Sequence, residues 1–445
     1  MSAFKPDLLS ATSKLTSLCS DAVEEHKVLG NEHLLELILS LLQNDHGSLN
    51  NVIRTCKFLR HVGEPLLWQA ADLKHLTTHV STAKRQQDLA SMIKKVEFAN
   101  CEAAWPSAVH DCPQFAKVNS LHIYNTSMSV NAPEQLKPFL NKSLRELLIH
   151  TDSDPNSHHR RDTLLLSQLS TVCFNLSSLK LEVALNVSSA DMTSFFTSMS
   201  QLRTLWLGSE LNSALGNDAL TAIFTMSRLN HLFLDQSLES SFWKELPTVS
   251  KEILSRATKL QIKFPTSEGL VVGELLSMIS TLKELVVTVV PTTGQRTTML
   301  QPAFLQWISI IPELRTLTVC VSSQIPLTIS VLSAVASMKN LTFFNLLSTE
   351  RNYHPKPATL SLTAEDMIRV PIDFRFLQML DVVDIQSPIV ATYTQAVEIV
   401  QGIDNVSASY MCLFDLSVDE GESFGWPSAS DYEAVMENTT PEYSI

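Results

Sequence analysis

The feature that most limits how this chain can fold is a triplet of apolar residues that returns at positions 1, 4 and 6 of a repeating unit. It reads Ile93–Val96–Phe98, Val118–Leu121–Ile123, Leu144–Leu147–Ile149, Leu176–Leu179–Leu181, Leu202–Leu205–Leu207 and Leu229–Leu232–Leu234. It continues as Ala257–Leu260–Ile262, Leu282–Leu285–Val287, Leu314–Leu317–Val319, Leu341–Phe344–Leu346 and Leu377–Leu380–Val382, with a weak last copy at Met411–Phe414–Leu416. Start-to-start spacings run from 25 to 36 residues and average about 29. Positions 4 and 6 share one face of a short strand. One such strand cannot bury its face alone, so neighbouring units must stack.

Helical segments separate the strands. Residues 188–202 open on Ser188 and place Met192, Phe195, Phe196, Met199 and Leu202 at spacings of three and four. Residues 216–229 repeat the design from Asn217, and 272–282, 301–314, 326–341 and 392–403 follow it. Strand, loop and helix in strict alternation define an α/β chain. The pattern resembles the leucine-rich-repeat family over residues 93 to 416. That resemblance implies an irregular solenoid, with parallel strands on a concave face and helices on the convex one. The Asn or Cys that the family places shortly after the third leucine is mostly missing; Ala184 and Glu210 stand there in two copies. The turn must be held by other groups. A generic α/β domain with parallel strands is the alternative, and eleven in-phase copies argue against it.

Ahead of the repeats, residues 29–68 carry more leucine than a small bundle can bury. Asn31 is placed to cap a helix from Glu32. Leu34, Ile38 and Leu41 form one stripe on it; Leu35, Leu39 and Leu42 form a second. After "NDHGS", a run through Leu49, Val52, Ile53, Cys56, Leu59 and Val62 repeats the pattern, and Pro65 begins a last turn toward Leu67 and Trp68. These residues resemble an F-box, in the Leu/Ile helix, the Cys56-Lys57-Phe58-Leu59 run and the terminal Pro65-Leu66-Leu67-Trp68. Gly30 stands where that family usually has proline. The resemblance implies a surface for a Skp-type adaptor, formed by Leu29, Leu34, Leu35, Ile38, Leu41, Val52, Cys56, Leu59, Pro65, Leu67 and Trp68. The alternative is an ordinary helical cap on the solenoid.

The resulting division is a helical extension over 1–28, the F-box-like helices over 29–76, the solenoid over 77–416 and an acidic tail over 417–445. Leu15, Leu18 or Cys19, and Ala22 line one side of the extension. The net charge is −13, and no Lys or Arg follows Arg375. Such a chain is poorly suited to nucleic acid, which needs clustered cations. The tail lacks apolar periodicity, and Phe424, Trp426 and Tyr432 are its anchors. The start "MSAFKPDLLSATSKL" has no signal-peptide pattern and no apolar run reaches membrane-spanning length, so a cytoplasmic or nuclear protein is expected. Seven scattered cysteines without a CxxC pair read as reduced thiols, and the Asn-x-Ser/Thr triplets at Asn141, Asn175 and Asn340 as chance matches. His158 and His159 sit in a polar loop. No phosphate loop, nucleophile elbow or zinc motif occurs, so no catalytic residue, metal or cofactor is expected.

Strand positions 3, 5 and 7 point away from the core. A protein substrate is therefore expected at His122, Tyr124, His150, Trp206, His231, Phe233 and Asp235, with Trp206 and Phe233 adjacent at its centre. Combined with the F-box resemblance, this implies the substrate-recognition subunit of a Skp–cullin–F-box ubiquitin ligase. The competing reading is an adaptor-independent scaffold.

Overall fold

The structure, a computed structural model, describes most residues from 31 to 349 and short segments from there to 418. Its longer omissions are 1–30, 70–79, 100–113, 125–135, 151–161, 293–301, 323–333, 366–378, 399–408 and 419–445. Leu29, the 1–28 helix, His158, His159, the helix at 392–403 (apart from isolated residues) and the tail's anchors therefore lie outside the described residues. The chain divides into two compact units, Met1–Val287 and Thr288–Ile445.

Three helices open the first unit: α1 (Glu32–Ser40), α2 (His46–Ile53) and α3 (Lys57–Leu67). Each starts where a side chain accepts an otherwise unmet N–H. Leu34 N–H donates to Asn31 Oδ1, Ser48 N–H to Asp45 Oδ1 and Leu59 N–H to Cys56 Sγ. The run expected to continue from Leu49 through Val62 is thus broken: α2 ends at Ile53 with Arg54 as its C-cap, and Cys56, in extended conformation, caps the next helix. Pro65 lies inside α3 rather than starting a new turn. Leu35, Leu39, Leu49, Val52, Ile53, Leu59, Val62 and Leu66 form one buried cluster. The helices meet at Gly63, where an added Cβ would lie 2.4 Å from Ile53 Cγ2 and 3.2 Å from Leu39 Cδ1.

After α4 (Ala83–Ala90) the repeats begin. Strands β1 (Lys95–Ala99), β2 (Ser120–Tyr124), β3 (Glu146–His150), β4 (Ser178–Glu182), β5 (Thr204–Leu207), β6 (His231–Ser237) and β7 (Lys259–Pro265) pair in chain order, all parallel. β8 (Glu284–Val290) spans the boundary between the units. Chain order with parallel pairing is what a stack of identical units produces, and a doubly wound sheet does not. In the ten copies from Ile93 to Leu346, every residue at positions 1, 4 and 6 is at most 6% exposed.

Helices supply the other side of the core. Among them are α5 (Asp162–Val172), α6 (Ser189–Ser198), α7 (Asn217–Phe224), α8 (Ser240–Val249) and α9 (Gly269–Ser277). Ser188 caps α6 in a capping box with Asp191, as its position suggests. Gly216, not Asn217, is the N-cap of α7. α8 carries Pro247 and no leucine period, yet buries Phe242 and Trp243 edge-on against Phe224, with centroids 5.2 and 5.9 Å away.

Neighbouring units are bonded to each other on the entry side of the strands. The position-2 carbonyl of each unit accepts two successive N–H groups of the next. Asn119 O serves Arg145 and Glu146, Arg145 O serves Ser177 and Ser178, and Ser177 O serves Arg203 and Thr204. Arg203, Asn230 and Thr258 continue the series, at 2.8–3.1 Å. Side chains reinforce it. Asn141 Nδ2 donates to Phe115 O (2.9 Å), Asn175 Nδ2 to Lys142 O (3.0 Å) and Thr281 Oγ1 to Ala257 O (2.8 Å). The first rung comes from the bundle: Lys94 and Lys95 N–H both donate to Gln69 O, just past α3.

In the second unit α10 (Pro302–Ile308) precedes β9 (Thr316–Ser322) and β10 (Phe343–Thr349). The ladder persists there, with Thr342 and Phe343 on Arg315 O and Asn340 Nδ2 on Pro312 O. Asn141, Asn175 and Asn340, each the first residue of an Asn-x-Ser/Thr triplet, are therefore inter-repeat staples. Of the helix expected over 326–341, residues 334–336 are helical among the described residues. β11 (Pro355–Pro357) pairs antiparallel with β10. β12 (Thr359–Leu360) pairs with β14 (Asp384–Ile385), and β15 (Ile389–Ala391) with β17 (Leu416–Val418). β13 (Met379–Asp381) and β16 (Ser409–Tyr410) extend the parallel order from β10. The register sets Tyr410, not Phe414, opposite Leu380; the expected copy at Met411–Phe414–Leu416 is wrong, and Leu416 belongs to β17.

Candidate interaction surfaces

Two surfaces stand out, one at each level of the first unit. On α1, Leu35 and Leu39 are at most 1% exposed, while Leu34, Leu37, Ile38 and Leu41 are 41, 53, 40 and 83% exposed. Residues 34, 37, 38 and 41 follow the helical period and so form one continuous strip. Leu37, which belongs to neither expected stripe, is part of that strip. Leu35, Val52 and Leu59 do not belong: all three lie in the bundle's own core, so they hold the surface up and cannot face an adaptor. Cys56 is a helix cap, partly buried against the same core, as is Leu67. Pro65 and Trp68 are half-buried. Behind them the buried-side Glu64 carboxylate is paired with Arg85 and Arg60.

The second surface is the sheet face opposite the helices. The register aligns His122, Leu148, Lys180, Trp206, Phe233 and Gln261 in one row across six strands. Trp206 and Phe233 stack with centroids 4.8 Å apart and an interplanar angle of 25°. Lys180 Nζ lies 4.0 Å from the centroid of the Trp206 ring. Trp206 is thus held between a cation and a second ring, half-buried on the face rather than rotated into the core. Gly208 lets the chain close up beside it, since a Cβ there would stand 3.2 Å from Glu182 Cα. β6 bulges between Phe233 and Ser237, next to the stack. At that point Gln236 occupies the unit position that Val183 and Phe264 fill with buried apolar side chains, and its Oε1 has no partner.

Charges on this face are paired with each other. Lys95 meets Glu97 (3.3 Å), Lys180 meets Glu182 (3.2 Å), Lys259 meets Glu284 (2.5 Å) and Lys263 meets Asp235 (3.5 Å). His150 Nδ1 lies 2.7 Å from Glu182 and His122 Nε2 lies 3.3 Å from Glu146, whose other oxygen accepts from Ser120. Tyr124 packs edge-on to His122. His231 is held below its ordinary value near 6.5, first by burial and then by the Lys259 ammonium, with Glu284 opposing. All seven residues expected to hold a substrate therefore lie on this face.

Cys173 is buried, which pushes its thiol up to about 11, and burial likewise raises Cys320. Neither is a thiolate at neutral pH. Among the described residues no three His, Cys, Asp or Glu groups are placed to hold a metal ion, and no helix is long and apolar enough to cross a membrane.

No family model and no curated protein matches the chain. Among solved structures it is similar to the leucine-rich repeat-containing protein LegL7 from Legionella pneumophila. The TM-score is 0.37 at 14% identity, over 66% of this chain and 94% of that one. It is also similar to TLR13 in its complex with ssRNA13, with a TM-score of 0.34 at 12% identity, over 74% of this chain and 54% of that one. The α/β solenoid of leucine-rich units stands on the strand order, register and buried triplets described above.

Proposed function

We propose that this chain is the substrate-recognition subunit of a Skp–cullin–F-box ubiquitin ligase and carries out no chemistry itself. The observation that supports this most is the Leu34–Leu37–Ile38–Leu41 strip, an uncovered apolar face on a bundle too small to need it. A Skp-type adaptor would cover it, and the outer sheet face would hold a protein substrate near the ubiquitin-loaded enzyme, acting by raised effective concentration in the cytoplasm or nucleus. Neither nucleic acid nor membrane is a partner in this reading. The test is co-purification with a recombinant Skp-type adaptor. Wild type should retain it near one to one, and Ile38→Asp with Leu41→Asp should release it while staying folded. Equal retention by both sinks the adaptor assignment.

The alternative, an adaptor-independent scaffold, draws support from the Gln69 rung, which makes the bundle a helical cap on the first strand. It predicts that neither wild type nor the variant retains the adaptor.

A further inference from the structure

We propose that the outer face around Trp206 and Phe233 captures an extended, near-neutral peptide segment through an aromatic or long apolar side chain, without need of phosphorylation. This rests on the reading of the sheet face as the partner-binding surface, and it states what that surface selects.

The first argument is charge. The chain carries −13, yet strand positions 3, 5 and 7 of β1–β8 carry four lysines against five carboxylates, with no arginine. Each of those four lysines already has a carboxylate within 3.5 Å. A phosphate would have to break one of these pairs, and recognition of phosphopeptides ordinarily uses clustered arginines with donors to spare. A strongly basic peptide is no better served, because the carboxylates are engaged by the same lysines and by His122 and His150. A partner that brings little charge leaves the network intact.

The second argument is the geometry of the rings. Lys180 covers one face of Trp206 and Phe233 covers the other. A nucleobase or sugar that binds by stacking needs a free ring face, so Trp206 offers only its rim. Ring rims and half-buried apolar surface suit the side chain of a protein. Thr204 and His231 lie together at 3.4 Å on the entry side of the stack, and the β6 bulge lies on the other. Bulges redirect side chains at the edges of binding sites.

The experiment uses the full chain and an array of synthetic 12-residue peptides in matched sets. Each set holds a Phe- or Leu-anchored neutral peptide, its phosphoserine version, a multiply acidic version and a version with the anchor changed to Ser. Wild type should bind the neutral anchored peptides best, with no gain from phosphoserine. Phe233→Ser should reduce that binding at least tenfold. If Phe233→Ser does not fold, Gln261→Lys serves: it adds a cation opposite Phe233 in the register and should create a preference for phosphorylated peptides that wild type lacks. If wild type binds phosphorylated or acidic peptides best, the proposed occupant is wrong while the sheet face remains the binding surface. If no peptide binds wild type in a way that either substitution changes, both the occupant and the sheet-face reading fall. Adaptor retention, measured separately, is unaffected by either result.

Discussion

The two surfaces of the first unit are built on opposite terms. The α1 strip exposes four apolar side chains with no polar partner among them, whereas the sheet face pairs nearly every charge it displays and folds its largest ring between two neighbours. A strip of the first kind is poorly solvated when alone, so it favours a partner that stays bound. A face of the second kind is content in water, so a partner must win by fit and can leave again. In the proposed reading, affinity belongs to one surface and selectivity to the other.

The largest effects should separate the strip from the core directly beneath it. Leu35→Ala should cost about 2–5 kcal/mol in urea unfolding, as buried leucine truncations do. A paired substitution of Leu35 and Ile38 would confuse folding with binding, and the exposed pair Ile38→Asp, Leu41→Asp should shift stability by only about 0.5 kcal/mol. If Leu35→Ala is silent, the division of α1 into two faces is wrong.

Next comes binding. That exposed pair should weaken adaptor affinity by about thirtyfold or more in calorimetry, the usual cost of losing an interface anchor. An unchanged isotherm would make the strip ordinary surface.

Gly63→Ala should cost about 1–3 kcal/mol, because the Cβ collides with Ile53 and Leu39 by more than the gain in helix propensity offsets. Trp206→Ala should cost less, about 0.5–1.5 kcal/mol, since it removes a half-buried stack and a cation contact rather than core. A loss of several kcal/mol would mean the rings are structural.

The smallest effect concerns His231. Its folded value lies below 6.5, so as pH falls through 6.5 the unfolded chain takes up a proton that the folded one refuses. Stability from this group is complete above 6.5 and declines until the lower folded value is reached. His231→Gln should flatten the fall in urea midpoint between pH 7.5 and pH 5; an equally steep fall would assign the pH response elsewhere.

Much of this was legible in the sequence because burial at positions 1, 4 and 6 obeys a period, and periods survive irregular spacing. Outward positions followed at once, since strand side chains alternate. What stayed hidden depended on single residues. A cysteine is an unusual helix cap, so Cys56 read as one more member of an apolar stripe. Gly63 carries no side chain to signal that three helices meet there. The bulge at Gln236 and the true last register at Tyr410 break the period that made the rest readable. Nor can leucine spacing say which of two stripes on α1 faces inward; the α2–α3 pair decides that.

The Gln69 carbonyl has one more consequence. Because it bonds the first strand as each later unit bonds the next, the helical bundle counts as rung zero of the ladder. Strands advance in steps of about 4.8 Å, so the Trp206–Phe233 stack on β5 and β6 stands five to six steps, about 24–29 Å, along the sheet. The fold is thus a gauge with discrete graduations. Loops between units can lengthen freely without altering that reach, while the gain or loss of one whole unit would move anything held at the stack by a single notch of about 5 Å.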